Sequence, residues 1–147
     1  MKAPFLIGRI LLGGFFLQNG INHLVNANSM KGYVEAKGVP APKAAVTLSA
    51  IPLIIGGTSL LLGVKPKVGT LAILGFLAGI SPVMHDFWNN EDPAEKAQNK
   101  IDFMKNAALA GAALALMGVD EPWEASVPVT QPTMMDRAVK RVRKLAA

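Results

Sequence analysis

The sequence Met84–Asn106, MHDFWNNEDPAEKAQNKIDFMKN, holds the richest mixture of ionisable, amide and aromatic side chains in a strongly apolar chain. It contains one of the two histidines, one of the two tryptophans and five of the ten acidic residues. Apolar runs lie on both sides of it. About 20 apolar residues are enough for a helix to cross the hydrocarbon core of a bilayer. The stretch is therefore predicted to connect two membrane helices at one face of the membrane.

The composition of the whole chain points to the same class of protein. Of the 147 residues, 51% are hydrophobic and 17% are charged, whereas a soluble domain has about 25% charged residues. The chain has no cysteine, which excludes disulfides and cysteine-ligated iron–sulfur clusters. The net charge of +5 comes mostly from the last dozen residues. A basic surface on a soluble fold, which nucleic-acid binding requires, is not expected, and the predicted partner is the lipid bilayer.

Hydropathy predicts an all-α fold, an integral membrane four-helix bundle over residues 1–118. The four spans are expected at about residues 5–25, 44–64, 68–83 and 101–117. Gly75 and Gly79 have the GxxxG spacing that suits close helix packing in lipid. Arg9 lies near one end of the first span, where its side chain can extend to the interface.

Two shorter signals define helices next to the spans. Asp92-Pro93-Ala94-Glu95 combines a capping acid, a proline at the first helical position and a glutamate at the third. It predicts one helix from Pro93 to about Met117. A short helix is predicted over residues 30–37, capped by Asn28 or Ser29 and stopped by Gly38. Met30, Tyr33 and Val34 would share one face of this helix on the membrane surface.

Residues 119–147 are predicted to form a linker and a basic amphipathic tail. Thr133 and Asp136 form a capping box for a last helix. Its basic side chains suit an anionic leaflet surface, where each contributes about 1 kcal/mol; they are Arg137, Lys140, Arg141 and Lys144. The alternative is a soluble, fraying terminal helix.

The distribution of basic residues predicts the orientation in the membrane. Four spans put both termini on one side, and nine of the fifteen basic residues lie on that side against six on the other. The positive-inside rule then places both termini in the cytoplasm.

Polar side chains from three helix ends are expected to gather at the other face. The C-terminal ends of spans one and three meet the N-terminal end of span four there, whichever side it is. Asp102 and Lys105 are expected to pair, and Asp86 to orient His23 or His85. The candidate polar site is Asn19, Asn22, His23, His85, Asp86, Trp88, Asp102, Lys105 and Asn106.

Two interpretations of this cluster stay open on sequence alone. It forms a pocket for a lipid head group, a quinone or another small molecule, or it is a structural network that caps helix ends, with Trp88 in the aromatic belt. No ligand-spaced motif supports metal or haem at the two histidines. No nucleophile–base pattern or nucleotide fingerprint is present. We therefore predict no catalytic residue, no metal and no cofactor other than a quinone.

Several motifs resemble one family of small bacterial membrane proteins. They occur in order as Arg9-Ile-Leu-Leu-Gly13, Asn19-Gly20-x-x-His23-Leu24, Gly56-Gly57 before Leu60-Leu-Leu-Gly63, His85-Asp86-Phe87-Trp88, Asp92-Pro93-Ala94-Glu95 and Phe103-Met-Lys105-Asn106. Together, over about residues 5–120, the chain resembles the DoxX family. The resemblance implies four membrane helices and a location in the bacterial plasma membrane.

The resemblance also implies a function. The family takes its name from a small subunit of a thiosulfate:quinone oxidoreductase, and other members are associated with membrane redox or oxidative-stress complexes. Many members have an acid before the paired glycines of span two, where this chain has Pro52 and Leu53. The expected function is a non-catalytic subunit of such a complex, with a protein partner or a second copy of the chain. The alternatives are a quinone- or lipid-binding protein and a small transporter.

Overall fold

The structure is a computed structural model that describes residues 3–123 and 125–127. This part of the chain contains α-helices and one 3-10 turn and has no strand, so the all-α prediction is confirmed. The elements are α1 (Ala3–Val25), α2 (Ala27–Ala36), α3 (Pro42–Leu62), α4 (Pro66–Met84), the 3-10 turn (Phe87–Asn89) and α5 (Pro93–Met117). The predicted basic tail helix, with Arg137, Lys140, Arg141 and Lys144, lies outside the described residues.

Three segments of the described chain are long and apolar enough to cross a membrane: Ala3–Val25, Pro42–Leu62 and Pro66–Asn89. The last of these contains α4 and the 3-10 turn. The helix α5 packs on α4, but its first turns carry polar and charged side chains, and it is not among the three. A fourth span over residues 101–117 therefore stays a prediction.

Prolines and one capping acid set the helix starts. Pro42 and Pro66 lie at the first turns of α3 and α4, where the missing N–H costs no hydrogen bond. Each helix thus begins two residues before its predicted start. The predicted bounds of α5 are confirmed, and Asp92 accepts a hydrogen bond from the Glu95 N–H at 2.8 Å.

Close packing of α1, α3 and α4 depends on glycines. A Cβ on Gly13 would lie 2.9 Å from the Gly57 carbonyl oxygen, and a Cβ on Gly56 would lie 2.9 Å from the Gly69 carbonyl oxygen. The main chains of α1 and α3, and of α3 and α4, therefore touch directly. The core between these helices and α5 contains Phe16, Leu53, Leu60, Ile73, Leu77 and Ala113.

The GxxxG pair behaves differently from its prediction. A Cβ on Gly75 or Gly79 would meet no atom within 4 Å. The expectation that this pair makes a close helix contact is therefore wrong for contacts within the described chain. The glycines that do make such contacts lie opposite main-chain atoms of a neighbouring helix.

The helix α2 begins earlier than predicted and packs inward. It follows Asn26, which makes no side-chain capping bond, rather than Asn28 or Ser29. Its predicted stop is confirmed, since Gly38 has a φ of +71°. Val34 is buried in a small apolar cluster with Val46 and Met84. The face that carries Val34 thus packs against the bundle and does not lie on the membrane surface as predicted.

The segment after α5 folds back over the opposite end of the bundle. Trp123 is buried, and its ring meets the ring of Phe5 edge to face at 5.2 Å. Arg9 Nη2 donates to the carbonyls of Leu61 at 3.4 Å and Ala125 at 3.1 Å. Arg9 is only 2% exposed, so its guanidinium packs inside the protein at these helix ends, and its reach to the membrane interface stays a prediction. Its guanidinium contacts these two carbonyl oxygens and lies 5.7 Å from the centre of the Trp123 ring.

Candidate functional site

A cavity of about 470 Å³ lies among α1, α2, α3, α4 and the middle of α5. Its walls are mostly aliphatic and aromatic side chains, Phe16, Leu53 and Leu77 among them. No aspartate, glutamate, lysine or arginine of the described chain lines it. Small-molecule sites have this size and composition, an apolar concave wall with a few polar groups that orient the ligand.

The cavity brings together four of the nine predicted site residues. Asn19 and His23 come from the last turns of α1, His85 ends α4, and Asn106 lies in α5. These helix ends meet because α1 and α4 run in the same direction and α5 starts at the face where α4 ends. The polar groups therefore share one end of the bundle.

The other five predicted residues do not line this cavity. Asn22 is exposed and accepts a hydrogen bond from Asn26 at 2.6 Å. Trp88 is half exposed and packs edge to face against Phe87 and Phe103. The remaining three, Asp86, Asp102 and Lys105, form ion pairs outside the cavity.

The pairing of Asp102 with Lys105 is confirmed at 3.0 Å between Oδ1 and Nζ. Asp102 also accepts a hydrogen bond from Gln98 at 2.9 Å. The Lys105 side chain is 64% exposed. An exposed pair of this kind contributes little to stability, and it belongs to the surface of α5.

His23 is held by a serine of the neighbouring helix. Its Nδ1 lies 2.7 Å from Ser49 Oγ in α3, and Ser49 Oγ donates to the Val46 carbonyl at 2.7 Å. The His23 ring also meets the Phe76 ring at 6.1 Å between centroids. These contacts from α3 and α4 fix the orientation of the imidazole on the cavity wall.

His85 carries an unsatisfied polar atom. Its Nδ1 is buried, and within the described residues it has no hydrogen-bond partner. Buried polar atoms nearly always have a partner in a folded protein. Asn106 Nδ2 donates to Ser81 Oγ at 3.1 Å, and Ser81 Oγ donates to the Leu77 carbonyl at 2.6 Å. Asn106, which lines the same cavity, is thus bonded to Ser81 through one of its two N–H groups.

Asp86 holds α2 against the bundle. Its Oδ1 pairs with Lys37 Nζ at 2.6 Å, and its Oδ2 accepts a hydrogen bond from Asn89 at 3.2 Å. The hydrogen bond to Asp86 raises the pKa of Lys37 above its ordinary value of 10.5. Tyr33 Oη adds a bond to the Met84 carbonyl at 3.1 Å. The expectation that Asp86 orients a histidine is wrong, because Lys37 occupies that carboxylate and Ser49 holds His23.

Sequence reasoning missed three residues of this region. Ser49 carries a hydroxyl group inside an apolar span, and this polar group was the signal in the sequence that could have marked it as a site residue. Tyr33 shares the predicted α2 face with Val34, but only the inward packing of that face makes it part of the cavity wall. Lys37 carried no signal, since its partner is 49 residues away in the sequence.

Comparison with known proteins supports the motif resemblance. The model of the DoxX family matches residues 5–86, which is more than half of the 147-residue chain. The match covers α1 to α4 and ends just after His85, so α5 lies beyond it. No curated protein and no solved structure matches the chain.

Proposed function

The chain belongs to the DoxX family, and we propose that it binds an uncharged, largely apolar small molecule of the quinone class inside the membrane. The observation that carries this proposal is the apolar cavity of about 470 Å³, whose wall includes His85, a histidine with a buried Nδ1 that has no partner within the described residues. Such an atom costs free energy until a hydrogen-bonding group meets it.

The chemistry of the wall favours a quinone-class ring over a lipid head group. A phosphate would need a cation or several N–H donors, and the described cavity wall has no lysine or arginine. Aromatic side chains, Phe15, Phe16 and Phe76, suit a flat ring. His23, His85, Asn19 and Asn106 suit the few oxygen atoms that such a ring carries.

The proposed location follows from the spans and the charge distribution. The three apolar segments suit a bilayer, and the excess of basic residues on the side of the termini favours a cytoplasmic position for both. We propose the bacterial inner membrane, with α5 entering it as a fourth helix over residues 101–117. The polar end of the cavity would then face the opposite side.

A second proposal, a non-catalytic subunit of a membrane redox or oxidative-stress complex, is favoured by a separate observation. Gly75 in α4 and Gly111 in α5 have open space around them, with no described atom within 4 Å of a built Cβ. Small residues of this kind let a helix of another chain approach closely. Gly111→Leu should abolish co-purification with a partner in mild detergent if this face binds one. A chain that purifies alone before and after the substitution contradicts this proposal.

The ligand proposal is tested with His85→Ala in full-length protein in lipid nanodiscs. Binding of duroquinone and its reduced form duroquinol is measured by equilibrium dialysis. We expect binding to the wild type, loss of at least about ten-fold in affinity for His85→Ala, which removes one buried hydrogen bond, and no change for Asn22→Ala outside the cavity. Equal binding by the wild type and His85→Ala, with both folded by circular dichroism, contradicts the proposal.

A further inference from the structure

Two hydroxyl groups on the cavity wall already use their protons in hydrogen bonds to main-chain carbonyls. Ser49 Oγ donates to the Val46 carbonyl at 2.7 Å, and Tyr33 Oη donates to the Met84 carbonyl at 3.1 Å. A hydroxyl has one proton and two lone pairs. Towards a ligand, both oxygens can therefore act only as acceptors.

The contact between Ser49 and His23 determines the tautomer of the histidine. His23 Nδ1 lies 2.7 Å from Ser49 Oγ. The serine hydroxyl donates its single proton to the Val46 carbonyl. Its oxygen therefore accepts from His23, and Nδ1 of His23 is the donor. A neutral imidazole has one N–H, so Nε2 of His23 carries a lone pair. His23 lines the cavity, and this lone pair is the acceptor that its ring has left for a ligand.

The asparagine amides on the cavity wall do not change this excess of hydrogen-bond acceptors. Asn19 Nδ2 donates to the Phe15 carbonyl at 2.8 Å, and Asn106 Nδ2 donates to Ser81 Oγ at 3.1 Å. Each amide keeps an oxygen and one N–H, so each can meet a donor or an acceptor. The groups whose role is fixed are all acceptors, and His23 is the strongest of them.

We propose that the cavity selects a hydroxyl-bearing ring, a quinol or another phenol, over the corresponding quinone. His23 is the specificity-determining residue, and Ser49 is the positioning residue that fixes its tautomer. A quinol O–H donates to Nε2, whereas a quinone carbonyl has only lone pairs and would leave that nitrogen unpaired. Sites built to bind a hydroxyl reject analogues that lack it. This inference rests on the proposed function and adds the chemical form of its ligand.

The test compares duroquinol with duroquinone on the full-length protein in lipid nanodiscs under nitrogen. The pH is about 8, where a histidine is ordinarily neutral. The wild type should bind duroquinol at least about ten-fold more tightly, the ratio that one hydrogen bond supplies. Ser49→Ala lets His23 hold its proton on either nitrogen, so this ratio should fall towards one. Thr47→Ala is the control, since its hydroxyl makes a similar bond to the Lys43 carbonyl at 3.0 Å, outside the cavity.

The outcomes of this test distinguish the selectivity for a quinol from the proposed binding function. Duroquinone binding as tightly as duroquinol, or a ratio unchanged in Ser49→Ala, overturns the selectivity and leaves the proposed function standing. Binding of neither compound overturns both. If Ser49→Ala does not fold, the ¹⁵N spectrum of the wild-type histidines, assigned with His85→Ala, decides. A proton on Nδ1 of His23 supports the inference, and a proton on Nε2 overturns it.

Discussion

Gly79 offers a way to fill the cavity without disturbing the helices around it. It lines the cavity and has the helical spacing of one stripe of α4 with Phe76, Ile80 and Val83, which line it too. A Cβ on Gly79 would meet no atom within 4 Å, so the first carbon of a leucine at this position has open space, and the side chain adds four carbons in all. Gly75→Leu is the matched control, because Gly75 is equally open, lies one turn earlier and does not line the cavity.

The size of the effect follows from the ligand volume that the leucine displaces. Four side-chain carbons exclude about four ligand carbons, and each buried methylene contributes about 0.8 kcal/mol. The loss is therefore about 3 kcal/mol, or about 100-fold in the dissociation constant of duroquinol. Gly75→Leu should leave the dissociation constant unchanged.

The assay is isothermal titration of duroquinol into each variant in lipid nanodiscs, with thermal unfolding followed by circular dichroism. Both variants should unfold at or above the wild-type temperature, because leucine favours a helix more than glycine does. Two results would refute the reasoning. One is a Gly79→Leu variant that binds as tightly as the wild type, and the other is equal weakening in both variants.

Two further predictions concern the packing that shapes the cavity. Gly57→Ala should destabilise the protein by about 1–3 kcal/mol, because its Cβ would lie 2.7 Å from the Gly13 carbonyl oxygen; Gly14→Ala, with open space, should not, and equal denaturant midpoints would contradict this. The hydrogen bond to Asp86 raises the pKa of Lys37 above 10.5, so the stability from this pair persists through neutral pH and is lost as the pH rises through the raised pKa. Lys37→Met should remove that alkaline loss of helicity, and an unchanged pH profile would count against it.

Local signals predicted the helices well where the chemistry of the helix end is local. The start of α5 depends on Asp92 and Pro93, and the structure shows the capping bond from Glu95 N–H to Asp92 that this pattern predicts. Glycine spacing was a poorer guide. A GxxxG pair indicates where a second helix can approach closely. Gly13 and Gly57 lie at the α1–α3 contact because of the register between these two helices, and no local sequence pattern encodes that register.

The candidate site was predictable only in part, for a similar reason. Topology alone brings the ends of α1, α4 and α5 together, and this led to His23 and His85. Ser49, Tyr33 and Lys37 could not be assigned, because their roles depend on the rotation of α3 and the inward face of α2. Those features are set by packing between helices far apart in the sequence.

Selective ¹⁵N labelling of histidine tests the central claim most directly. The chain has two histidines, and both line the cavity, so the imidazole signals report on its occupancy without background from elsewhere. Both sets of signals should shift when duroquinol is added to the wild type, and neither should shift in Gly79→Leu. Histidine signals that stay in place while duroquinol binds to the wild type would contradict the claim that the cavity is the binding site.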